Sequence, residues 1–173
     1  GVGELHMGVQ NFSAACPHWQ MMAAWCSAHN WPINLHVTET AGHEHPGSVA
    51  TPLQELVRMA TAAPNLKLIL AHWGGGLAFF EQNPRLRKAL RNVYYDCAAS
   101  PLLYEMRVFK QMVDLVGIDK LLFGSDYPLR IYPRSQKTPD MTRYIENIQS
   151  KSGLSPTDLS QLMGGNFARL MHA

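Results

Sequence analysis

The chain has 173 residues, a formal net charge of +2, and a composition that is 46% apolar and 16% charged. That is enough for one domain with a hydrophobic core, and too apolar for a disordered segment. Basic and acidic residues are interspersed, which argues against a nucleic-acid-binding face, and no apolar run is long enough to cross a membrane.

The chain opens on Gly-Val-Gly-Glu-Leu-His, a short apolar run holding Glu4 and His6, without an initiator Met or a leader. The expectation is a chain that begins inside a fold. Pro17 suits a first helical turn, and Met22, Trp25 and Cys26 give that helix an apolar face. Asn30 and Pro32 end it. Ile33 to Thr38 reads as a second strand carrying His36. An irregular loop follows, with His43, Glu44 and His45. Thr51, Pro52 and Gln54 predict a capped helix start, and Leu53, Leu56, Val57 and Ala60 its buried stripe. Leu66 to Ala71 is a third strand, running into His72-Trp73 and three glycines. A helical stretch from Leu77 to Leu90 is interrupted at Pro84.

Asn92 to Cys97 is a fourth strand carrying Asp96. Ser100-Pro101 predicts the cap of a helix with Met106, Phe109, Met112, Val113 and Val116 inside. Leu121 to Pro128 is an apolar strand ending on Gly-Ser-Asp-Tyr-Pro, with Asp126 at its tip. Two further helices are expected, one from Thr138-Pro139 and one from Ser155-Pro156-Thr157-Asp158, before a short turn at Phe167 to Met171. Cys16, Cys26 and Cys97 are odd in number and lack C-x-x-C spacing, which predicts reduced thiols and a cytoplasmic protein.

Strands alternating with helices imply an α/β fold with parallel strands. The five strands recur about every 30 residues, close to the roughly 31 residues per unit of a (β/α)8 barrel. Two architectures fit: an open doubly wound sheet, or the last five units of a barrel.

Parallel α/β folds place their chemistry at the C-terminal ends of strands. Those ends carry Glu4 and His6, His36, His72, Asp96 and Asp126. Taken singly, His36 and His72 read equally well as core histidines bonded to carbonyls, and Asp126 as a turn residue. Taken together in one register, imidazoles and carboxylates suit a divalent metal. Glu4 is either a ligand or a hydrogen-bond acceptor behind one, and Asp96 reads as an acceptor. Trp73, Tyr127 and Trp31 are candidate pocket walls, and His43 and His45 candidate substrate contacts. Arg130 and Arg134 could grip a substrate carboxylate. Gly-Ser-Asp is not a nucleophile elbow, so a serine hydrolase is a poor fit.

Gly-Val-Gly-Glu-Leu-His, Ile-Asn-Leu-His-Val-Thr-Glu, Leu-Ala-His-Trp-Gly-Gly-Gly-Leu, Tyr-Tyr-Asp-Cys-Ala-Ala-Ser-Pro, Leu-Phe-Gly-Ser-Asp-Tyr-Pro and the closing Gly-Gly-Asn-Phe-Ala-Arg-Leu-Met together resemble the amidohydrolase-related metal-dependent hydrolases. That branch also holds the aminocarboxymuconate-semialdehyde decarboxylase-like enzymes. The resemblance implies a partial TIM barrel of about five C-terminal strand-helix units. It implies metal ligation by His36, His72, Asp126 and Glu4, with Asp126 also taking a proton from water and His72 or His36 steadying an oxyanion. The family's strand-one His-x-His pair has no counterpart, since His43 and His45 lie elsewhere. The expected cofactor is zinc, with manganese the alternative. The expected activity is hydrolysis of a carbonyl-type bond in a small molecule. Decarboxylation of an acid and a non-catalytic assembly module are the alternatives. Open sheet edges predict a homo-oligomer or a further segment that covers them.

Overall fold

The computed structural model describes residues 1–42, 48–49 and 51–172. Five parallel strands form one sheet in the order β1-β2-β3-β4-β5: β1 (Val2–Leu5), β2 (Ile33–Leu35), β3 (Leu68–Leu70), β4 (Val93–Asp96) and β5 (Leu121–Leu122). Between and after them lie α1 (Met7–Gln10), α2 (Pro17–Ala28), α3 (Leu53–Ala62), α4 (Leu77–Phe80), α5 (Pro84–Ala89), α6 (Ser100–Leu103), α7 (Val108–Val116), α8 (Thr142–Lys151), α9 (Pro156–Ser160) and α10 (Asn166–His172). The fold is α/β, of partial TIM-barrel type.

The side-chain period of two sorts each strand into two faces. Ile33, Leu35, Leu68, Leu70, Val93, Tyr95 and Leu121 join the large core shared with the helices. Ile69 and Leu122 point the other way, where Leu170 of α10 closes on them with Tyr94 alongside. Asn34 is in register with Ile69 and Tyr94, and Asp96 with Leu122, so the polar strand residues share that second face. Ladder bonds continue past the strand ends. His36 N–H donates to Leu5 O, Ala71 N–H to Leu35 O, and Cys97 N–H to Leu122 O. This holds the strand ends level with one another. A register shift between Val2 and Leu5 re-aims the β1 side chains around Glu4.

Several boundaries differ from expectation. Thr51 does not cap α3, whose first turn follows Pro52; its hydroxyl donates to Val49 O instead. The helix expected from Ser100 is two helices, because Tyr104 is extended between α6 and α7. Ser100 Oγ donates to Cys97 O, so it is not a cap. The helix expected at Thr138 begins at Thr142, where Asp140 accepts from its backbone N–H. The fifth strand stops at Leu122, so Asp126 sits on the loop beyond it. Trp25 faces outward, 46% exposed. The helix expected at Ser155 does begin there, and Ser155 caps α9 by exchanging hydrogen bonds with Asp158. The Pro84 interruption separates α4 from α5, with Asn83 capping the latter.

Candidate metal centre

Three side chains from three strand ends converge. Glu4 Oε1 lies 2.7 Å from His36 Nδ1. His72 Nε2 lies 3.2 Å from His36 Nδ1 and 3.7 Å from Glu4 Oε1. Among the described residues these three form a group whose donor atoms could share one cation. A tetrahedral ion with bonds of about 2.0–2.1 Å presents faces with edges of about 3.3 Å, so the observed triangle is already the right size. Two imidazoles and one carboxylate are also a known catalytic donor set that leaves positions open.

The groups behind these three side chains orient them. His72 Nδ1 lies 3.1 Å from Ala98 O. A carbonyl can only accept, so Nδ1 carries the proton and Nε2 turns its lone pair to the centre. This fits His72 as a ligand rather than as a donor to an oxyanion. Thr38 Oγ1 lies 3.4 Å from His36 Nε2, and the His6 ring stacks on His36 at 4.2 Å. The hydrogen bond from His36 chiefly holds the Glu4 carboxyl below its ordinary range, against the opposing effect of burial.

Asp96 is the buried brace, 6% exposed. It accepts from the backbone N–H of His72 and of Ala98 and from Asn34 Nδ2. Burial pushes its carboxyl up, and the Ala98 amide partly offsets this. The expected role as an acceptor stands. His72, Trp73, Ala99 and Asp126 all have left-handed backbone, with φ between 54° and 60°. Each such residue costs on the order of 1–2 kcal/mol, and all four lie on the strand-end loops around the site.

A cleft of about 340 Å³ adjoins the centre, lined by His36, His72 and Asp126, with Val37, Ala99, Leu102, Leu103 and Leu129 as apolar wall and Thr38 and Glu39 beside them. Asp126 therefore stands on the cleft and outside the three-residue donor group. Trp73 is not a pocket wall. It is 2% exposed, donates from Nε1 to Ser100 Oγ, and packs edge-on against Phe109. Trp31 packs edge-on to Trp25, and neither it nor Tyr127 lines the cleft. Arg130 is exposed, with a guanidinium contact to Gln136 O. His43 and His45 lie outside the described residues. Gly74 and Gly75 serve packing: a Cβ on Gly74, at φ 66°, would run into the Tyr95 ring, and one on Gly75 into Val37. The pair formed by Glu39 and Tyr104 was not anticipated; its only signal was the polar Thr-Glu-Thr immediately after the second strand.

The family profile described as Amidohydrolase matches residues 5–172. No curated protein matches the chain in sequence. Among solved structures, a candidate 2-pyrone-4,6-dicarboxylic acid hydrolase from Pseudomonas putida superposes with TM-score 0.69 at 13% identity, over 99% of this chain and 63% of that one. An uncharacterised TIM-barrel protein from Bordetella bronchiseptica gives 0.66 at 17%, over 93% and 52%. A dihydroxybenzoic acid decarboxylase from Polaromonas sp. JS666, with bound manganese and 2-nitroresorcinol, gives 0.62 at 18%, over 92% and 55%. The chain thus spans between about half and two thirds of these proteins. No helix among the described residues is long and apolar enough to cross a membrane.

Proposed function

Because the chain belongs to the amidohydrolase family, we propose that it acts as a divalent-metal-dependent hydrolase on a carbonyl-type bond of a small molecule. The observation that carries this reading is the meeting of Glu4, His36 and His72 beside a cleft that Asp126 also lines. Those three residues would hold the cation, with zinc the first choice for this donor set and manganese the second. The metal supplies an activated water and a Lewis acid. Asp126 takes the proton from the attacking water, being on the cleft and outside the donor group. The Ala98 carbonyl keeps His72 in the ligating tautomer. The apolar wall excludes bulk water and strengthens the electrostatics of the site. The three free cysteines fit a cytoplasmic location. The β1 edge of the sheet fits cover by a second copy or by further chain.

Decarboxylation is the second reading, favoured by that apolar wall and by the likeness to the Polaromonas decarboxylase. Asp126 would then deliver the proton to the carbon that loses its carboxylate.

Metal content after dialysis tests the centre. One equivalent of zinc or manganese per chain is expected, and Glu4→Ala and His36→Ala should abolish it. Asp126→Asn should keep the metal and lose about 10²- to 10⁴-fold in turnover. No uptake by wild type at saturating zinc or manganese would refute the proposal. Carbon dioxide release from a panel of aromatic acids, against hydrolysis of a panel of lactones and amides, separates the two reactions.

A further inference from the structure

Glu39 lies three residues after His36, on the stretch that also supplies Thr38 behind the His36 ring. It is half-buried and lines the cleft. Its Oε1 accepts from Tyr104 OH at 2.6 Å, and Tyr104 directly follows α6, whose Leu102 and Leu103 form part of the apolar wall. The second carboxylate oxygen has no partner among the described residues. The described lining contains two carboxylates, Glu39 and Asp126, and no Lys or Arg. A carboxylate with one oxygen braced and the other available in a largely apolar cleft gains a charge-assisted bond from any donor that enters. A second anion at the Glu39 end would lose its hydration and meet neither Lys nor Arg in the described lining.

We infer that Glu39, braced by Tyr104, is a specificity-determining residue of this cleft and selects a substrate whose far end carries a hydroxyl or amino donor over one carrying a second carboxylate. This rests on the cleft being the substrate site. Burial and the Glu39 carboxylate push the Tyr104 hydroxyl up from its ordinary value, so it stays a donor throughout the neutral range.

The test uses phenol, anisole and benzoate, titrated by NMR into the metal-free chain in EDTA. Failure of the metal proposal therefore leaves it readable. Wild type should bind phenol about tenfold more tightly than anisole, the worth of one hydrogen bond to a charged group, and benzoate most weakly. In Glu39→Leu the phenol advantage should fall within about twofold. In both Glu39→Leu and Glu39→Gln benzoate should bind better than in wild type, as the repelling charge is gone. A structural role alone would weaken all three probes together. That result, equal binding of phenol and anisole by wild type, no binding of any probe, or a phenol preference that survives Glu39→Leu would each overturn the inference.

Discussion

Replacing Lys120 with Met removes one ammonium and keeps most of the side chain's apolar stem. In the native fold the Lys120 Nζ donates to both oxygens of Glu81, at 2.8 and 2.6 Å, and to Leu90 O at 2.9 Å. Glu81 is 1% exposed, and its other side-chain donor is Tyr95 OH at 2.6 Å. Burial lowers the Lys120 pKa, and Glu81 works against that. Stripping one partner from such a pair leaves an uncompensated buried carboxylate, which costs about 3–5 kcal/mol. The Leu90 carbonyl also loses its ammonium donor. Against a typical total stability of about 5–15 kcal/mol, Lys120→Met should lower the denaturant midpoint strongly and Tm by roughly 6–20 °C. Equilibrium urea unfolding, followed through the four tryptophans, measures it. The double variant Glu81→Leu with Lys120→Met removes both charges and should recover most of the loss, because an apolar pair of similar volume often equals a buried ion pair. A loss below about 1 kcal/mol in Lys120→Met, or a double variant less stable than the single one, would refute the assignment of this pair as a buried structural tie.

Glu55 accepts the Ala14 backbone N–H at 2.6 Å, and that bond chiefly lowers its carboxyl below the ordinary value of 4.5. A lowered folded-state pKa contributes stability above the unfolded value and loses it as pH falls through the folded one. Glu55→Gln should therefore be less stable than wild type by about 1–2 kcal/mol at pH 7, with the gap closing below about pH 4 in pH-dependent urea midpoints. Gly74→Ala forces left-handed backbone on an alanine whose Cβ would stand 2.7 Å from the Tyr95 ring; about 2–4 kcal/mol should be lost by thermal unfolding. Burial pushes the Cys97 thiol up to about 12 and raises Cys26 as well. A thiol reagent at pH 8 should label half-buried Cys16 in the native chain and all three cysteines only in denaturant.

Some local signals were readable because the residue's partner lies close in sequence. Ser155, read as the start of a helix, caps α9 through Asp158, three residues on. His36 and His72 were legible as strand-end groups, because alternation and turn chemistry mark the ends of short buried strands. Thr51 and Ser100 carry good capping side chains, but their hydroxyls donate backwards, to Val49 O and Cys97 O, and accept from distant groups, the Thr38 amide and the Trp73 indole. Trp73 reads as a pocket aromatic beside a ligand, yet left-handed backbone at His72 and Trp73 turns the indole into the core. Asp126 was expected at a strand tip; β5 is only two residues long, so it stands on the loop beyond, on the cleft beside the donor group.

The order of elements, the parallel sheet and the candidate metal-binding residues follow from the sequence alone, because they depend on periodicity and on which side chains end each strand. The selection among those residues does not. Glu4, His36 and His72 are separated by 32 and 36 positions, and only the level ladder and the register shift in β1 bring their donor atoms together. The Glu81–Lys120 tie and the Glu39–Tyr104 pair span 39 and 65 positions. Both depend on which faces of distant helices and strands meet, and tertiary packing alone decides that.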